Sequence, residues 1–152
     1  MTPGEESGAT ESGATDHDRI ALAIQQPWAE LILRGIKTLE IRSQPTRLRG
    51  TIYLYASKRT SQLPAADVAA RRWNLDVESL PRGKVVGLVD VIDCRPSRAS
   101  DHLAACVPAE LLNGHFVYQL AHPRRFDVPR PVRFLPYGVW FYPFKRRPHR
   151  GR

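Results

Sequence analysis

The chain has 152 residues, 42% hydrophobic and 25% charged, with a net charge of +8. That length suits one domain with a real core, and no apolar run approaches the ~20 residues a bilayer span requires. Residues 1–18 hold five acids and no Lys or Arg, so residues 19–152 carry +13, the whole-chain +8 with that −5 removed. A body this basic is expected to meet a polyanion, nucleic acid being the commonest.

Residues 1–18, MTPGEESGATESGATDHD, offer no apolar residue able to start a core, which predicts an unstructured acidic tail. They show neither the basic n-region nor the apolar h-region of a signal peptide, so a cytoplasmic location is expected. The body, 19–144, opens with IALAI at 20–24, a short buried strand. Pro27 then stands in the first turn of a helix, where its missing N–H costs nothing. Trp28, Leu31 and Ile32 recur on one helical face, and Gly35 suits the position after the helix end.

LEIRS at 39–43 alternates, with Leu39 and Ile41 on one face and Glu40 and Arg42 on the other. TIYLYAS at 51–57 is a third strand by its aromatic and β-branched content. PAADVAARRW at 64–73 predicts a second helix opened by proline. KVVGLVDVIDC at 84–94 reads as a strand with Val86, Leu88, Asp90 and Ile92 sharing a face. HFVYQL at 115–120 follows. The four prolines of 123–136 predict only short edge strands there. GVWFY at 138–142 closes the body, and KRRPHRGR at 145–152 is a basic tail. The fold expected is α+β, a small β-barrel of about five or six strands with helices packed at its side.

Lys37, Glu40 and Arg42 follow the first helix within six positions. One reading is an exposed ion pair worth under ~1 kcal/mol. The other is a recognition set: Arg offers a planar fork to phosphate or a base edge, and Glu accepts from an exocyclic amine. Lys37 supplies a charge or, if desolvated, a base. Trp28 is expected in the core; Gln26 either caps the helix or faces a ligand. Ser57, Lys58 and Arg59 form a basic turn at a strand end that suits phosphate. Cys94 and Cys106 are expected reduced, and their spacing to His102 and His115 fits no metal pattern. No cofactor is implied. No phosphate loop or Ser-His-Asp arrangement is present.

The strings LAIQQPWAELILRGIKTLEIRS, RGTIYLYASK and GKVVGLVDVIDCR together resemble the ASCH domain family, a branch of the PUA-like superfamily, over roughly 20–142. The resemblance implies a PUA-like barrel that binds RNA or another nucleic acid in a cleft beside the first helix. It places Gln26, Pro27, Trp28, Lys37, Glu40 and Arg42 in that cleft, with Ser57 and Lys58 at the rim. Some small bacterial members resemble amidohydrolases acting on acetylated cytidine through a Lys, a Thr three residues later, and a later Glu. Here Lys37 is kept, but Glu40 stands at the threonine position, and Asp90 is the candidate for the later acid. The expectation is therefore a non-enzymatic RNA-binding module. Hydrolysis of a modified nucleoside, through Lys37 with Glu40 or Asp90, and a protein-interaction module are the alternatives.

Overall fold

The structure, a computed structural model, describes residues 10–11 and 14–146. Most of the acidic tail and most of the basic tail expected above lie outside the described residues. The strands are β1 (Thr10–Glu11), β2 (Ala21–Ile24), β3 (Leu39–Arg42), β4 (Gly50–Ala56), β5 (Lys84–Pro96), β6 (Phe116–Pro131) and β7 (Trp140–Phe141). The α-helices are α1 (Trp28–Leu33), α2 (Pro64–Arg72) and α3 (His102–Ala105). All described strands belong to one sheet of order β1-β6-β5-β4-β2-β7, with β3 paired to β6 as well. It curls into a half-barrel, as the α+β barrel expectation required.

The curl follows from the two long strands. β5 and β6 pair antiparallel along their length, with register breaks at Val85/Gly87, Leu88/Asp90 and Val91/Asp93. Bulges of this kind bend a strand and increase its twist. Gly87 is required at one break: a Cβ there would lie 2.2 Å from the Arg124 carbonyl oxygen. The sheet stops short of closure, because no strand pairing joins β3 to β2 or β7. Side chains bridge this seam instead. Arg42 Nη2 donates to the Ala23 carbonyl at 2.8 Å, and Tyr118 stacks on Trp140 with centroids 6.1 Å apart.

Four expectations are corrected, the last of them at the final strand. Residues 123–131 are not short edge pieces but the second half of β6, which is 16 residues long. Its prolines are tolerated because Pro123 lies between the paired Ala121 and Arg124, Pro129 lies in the unpaired stretch between Arg125 and Arg130, and Pro131 ends the strand. At those places the ladder demands no N–H. The strict alternation read along β5 is also broken by its bulges. Val86, Val89 and Val91 enter the main core with α1 and α2. Val85 and Leu88 instead join a smaller cluster with Tyr53, Tyr55, Phe126, Phe141 and Phe144. Thirdly, the described part of the acidic tail is engaged: β1 pairs parallel with Arg125 and Phe126, and the Asp16 N–H donates to the Tyr53 hydroxyl at 2.8 Å.

The last strand is shorter than GVWFY suggested. Trp140 and Phe141 pair with β2, while Gly138 and Val139 form a loop tied down by a 2.8 Å bond from the Ala23 N–H to the Val139 carbonyl.

Candidate functional site

The site is built outward from α1. All six α1 residues are buried, including Glu30. That acid is matched from 95 residues away by Arg125 of β6, whose two Nη atoms donate to its two oxygens at 2.9 and 2.8 Å. Arg34 Nε adds a third bond at 2.7 Å. Burial alone would raise the Glu30 pKa, but the Arg125 and Arg34 bonds and charges together hold it below the usual carboxylate value. The helix is thereby locked to the sheet.

Gly35, at φ +75°, takes the left-handed conformation that ends such a helix. The N–H groups of Ile36 and Lys37 then both donate to the Leu31 carbonyl. The turn drives Lys37 inward, where it is only 2% exposed, while Thr38 stays outside. Lys37 Nζ donates to the Ala105 carbonyl at the end of α3. It lies 3.6 Å from Glu40 Oε1 and 5.0 Å from the centre of the Trp28 ring. Burial lowers the Lys37 pKa; Glu40 opposes that shift without cancelling it.

Glu40 is itself buried, and its Oε2 sits 3.0 Å from Arg42 Nη2. The expected exposed ion pair is thus a row of three charged groups, Lys37–Glu40–Arg42, two of them removed from water. One donor in the row remains unused. Arg42 Nε is the one buried side-chain polar atom among the described residues without a hydrogen-bond partner. Such a group is costly unless a ligand or water satisfies it.

Above this row opens a cleft of about 1020 Å³ between α1, β3, the turn after β4, the 107–115 segment and the 135–139 loop. Of the residues expected at the site, Trp28, Lys37, Glu40, Arg42, Ser57, Lys58 and Arg59 line it. Three of the residues expected there, Gln26, Pro27 and Asp90, are not in the lining. Gln26 is fully buried; its Oε1 accepts from the Glu30 N–H and its Nε2 donates to the Pro81 carbonyl. It organises the start of α1, and Gln25 lines the cleft in its place. Asp90 is absent from the lining. It is held instead by Thr51 of β4 and by His122 and Arg124 of β6. Burial raises its pKa, but those three partners leave it lowered overall.

Sequence reasoning missed the second wall, which includes Leu111, His115, Leu135, Pro136 and Val139. These residues sit on short 3₁₀ and loop segments that carry no periodicity. The one available signal was LPYGV at 135–139, five consecutive residues that all prove to be exposed. Among the described residues, no group of His, Cys, Asp and Glu is arranged to hold a metal ion, and no helix is long and apolar enough to cross a membrane.

The ASCH domain model matches residues 22–130, which include all of α1, β3, β4 and β5. The chain belongs to the ASCH domain family. It is 33% identical over 126 residues to activating signal cointegrator 1 of Mus musculus, covering 78% of this chain. The Homo sapiens protein of that name is 32% identical over the same length. This chain spans about a fifth of those relatives, 21% of each. Among solved structures, an ASCH protein from Zymomonas mobilis superposes with a TM-score of 0.56 over 84% of this chain and 88% of that one, at 14% identity. That likeness supports the half-barrel fold. The ASCH family is associated with RNA binding.

Proposed function

We propose that this ASCH domain is a non-enzymatic RNA-binding module that takes one nucleotide or strand end into the cleft beside α1. The observation that carries the reading is the charge of the lining. Lys37, Arg42, Lys58 and Arg59 face the cleft against one carboxylate, Glu40, and Arg42 Nε still lacks an acceptor. Lys58 and Arg59 are exposed at the mouth and suit the phosphate backbone. Arg42 lies deeper and suits an acceptor on the base or sugar.

The test is a fluorescence-anisotropy titration of a short single-stranded RNA at two salt concentrations. Reversing Lys58 and Arg59 to Glu is expected to weaken binding at least tenfold and to flatten the salt dependence. Arg42→Ala is expected to weaken binding with the salt slope unchanged. Equal affinity in all three proteins would reject the cleft as the binding site.

A second reading has its own observation, the buried Lys37 with its lowered pKa beside Glu40. A neutral amine there would act as general base for water attacking an acylated exocyclic amine, releasing the acid and the free nucleoside. Asp90 has no part in it. Incubation with acetylated cytidine, beside a Lys37→Ala sample, tests this. Free cytidine formed by the native protein alone would make the domain an amidohydrolase.

A further inference from the structure

The cleft joins exposed cations to exposed apolar side chains. Lys58 and Arg59 are exposed just past the end of β4. Around the same opening, Leu63 is 47% exposed, Leu111 37%, Leu135 62% and Val139 42%. Pro136 and Gly138 complete the lining contributed by the 135–139 loop. Four large apolar side chains left in water around one opening are unusual for a surface that binds backbone alone. A duplex would present only phosphates and groove edges to such lips. An unpaired base presents an apolar face of their dimensions.

The loop is also held in place rather than merely exposed. Ala23 donates to the Val139 carbonyl at 2.8 Å, and Tyr137 meets Phe141 edge-on at 6.3 Å between ring centres. The loop is therefore anchored at Tyr137 and Val139, and Leu135, Pro136, Gly138 and Val139 line the cleft. Arg42 lines the same cleft, and its buried Nε has no hydrogen-bond partner among the described residues.

We infer that the cleft is selective for an unpaired nucleotide, whose base inserts among the apolar lips formed by Leu63, Leu111, Leu135 and Val139 while its phosphates lie along Lys58 and Arg59. The inference rests on the RNA-binding reading and adds to it the structural class of the target. It makes the 135–139 loop the element that separates single strands from duplex.

The experiment compares three ligands of equal length on the full 152-residue chain: a single-stranded RNA, the same strand with abasic sugars, and the strand paired in a duplex, whose doubled charge would by itself favour it. The native protein is expected to bind the single strand about tenfold more tightly than the other two, the usual scale for one stacked base. The uncharged Leu135→Ser/Val139→Ser variant is expected to lose that preference while keeping its abasic and duplex affinities. Both positions are exposed, so the variant should fold; an unchanged thermal midpoint checks this. Equal binding of all three ligands by the native protein would overturn base insertion and leave backbone binding standing. A preference that survives the double variant would overturn the role of the lips. Failure to bind any of the three would overturn the RNA-binding reading and base insertion with it.

Discussion

Glu30→Ala provides the most direct test of how the cleft is held open. Glu30 is 4% exposed and receives three charge-assisted bonds, two from Arg125 and one from Arg34. Truncation would leave the Arg125 guanidinium without its partner between α1 and β6. Breaking a buried pair in this way costs about 3–5 kcal/mol. The Arg125 side chain keeps 33% exposure and Arg34 44%, so both partly rehydrate and the lower figure, about 3 kcal/mol, is expected. For a domain of this size that is a fall of about 6–12 °C in Tm.

The assay is urea denaturation followed by tryptophan fluorescence, since Trp28 lies at the start of the same helix. Arg34→Ala, which removes the exposed half of the network, should cost under ~1 kcal/mol. The pH dependence gives an independent check. The Glu30 pKa is lowered in the folded protein, so its stabilisation is fully present above the unfolded carboxylate pKa. It is lost as the pH falls through the folded value, and the Ala variant should lack that portion of the acid limb. A loss below ~1 kcal/mol for Glu30→Ala would refute the claim that this network pins α1.

Asp101 is bound by both Nη atoms of Arg95 and by the Arg98 N–H, and its pKa is lowered to about 2, chiefly by the Arg95 bond. Asp101→Asn should cost about 1.5 kcal/mol at neutral pH and abolish the loss of stability between the unfolded value, 3.8, and about 2, read from denaturation midpoints along a pH series. Gly87→Ala should lower stability by ~3 kcal/mol or more, seen as a collapse of soluble yield or Tm, because its Cβ would meet the Arg124 carbonyl. Gln26→Ala should cost about 2 kcal/mol, leaving the Glu30 N–H and the Pro81 carbonyl unpaired. The RNA affinity of its folded fraction, measured by anisotropy, should stay unchanged, since Gln26 does not reach the cleft.

Much of the cleft's first wall was legible from local chemistry. Trp28, Leu31 and Ile32 at helical spacing, Gly35 after them, and the Lys37–Glu40–Arg42 run place a polar row beside a helix with no knowledge of the rest of the chain. The basic charge of 19–152 pointed to an anionic partner for the same reason: charge is a sum over residues and needs no fold. Strand positions were also legible, because alternation and β-branching act within a few residues.

Only the tertiary structure decided which of those polar groups share a space. Asp90 looked eligible by type, but bulges in β5 shift its register, and register depends on the partner strand. Gln26 was open between capping the helix and facing a ligand; the Glu30 N–H and the Pro81 carbonyl, 55 residues away, decided for the helix. Glu30 gives no local signal of burial, yet Arg125 from β6 makes it a buried anchor. The apolar lips at Leu111, Leu135 and Val139 come from loops, whose placement is set by what they pack against and not by any period of their own. Sequence by itself determined the charge and the locally periodic elements; long-range pairing decided the extent of β6 and the cleft, because burial and hydrogen-bond satisfaction belong to the whole packed chain and not to any segment of it.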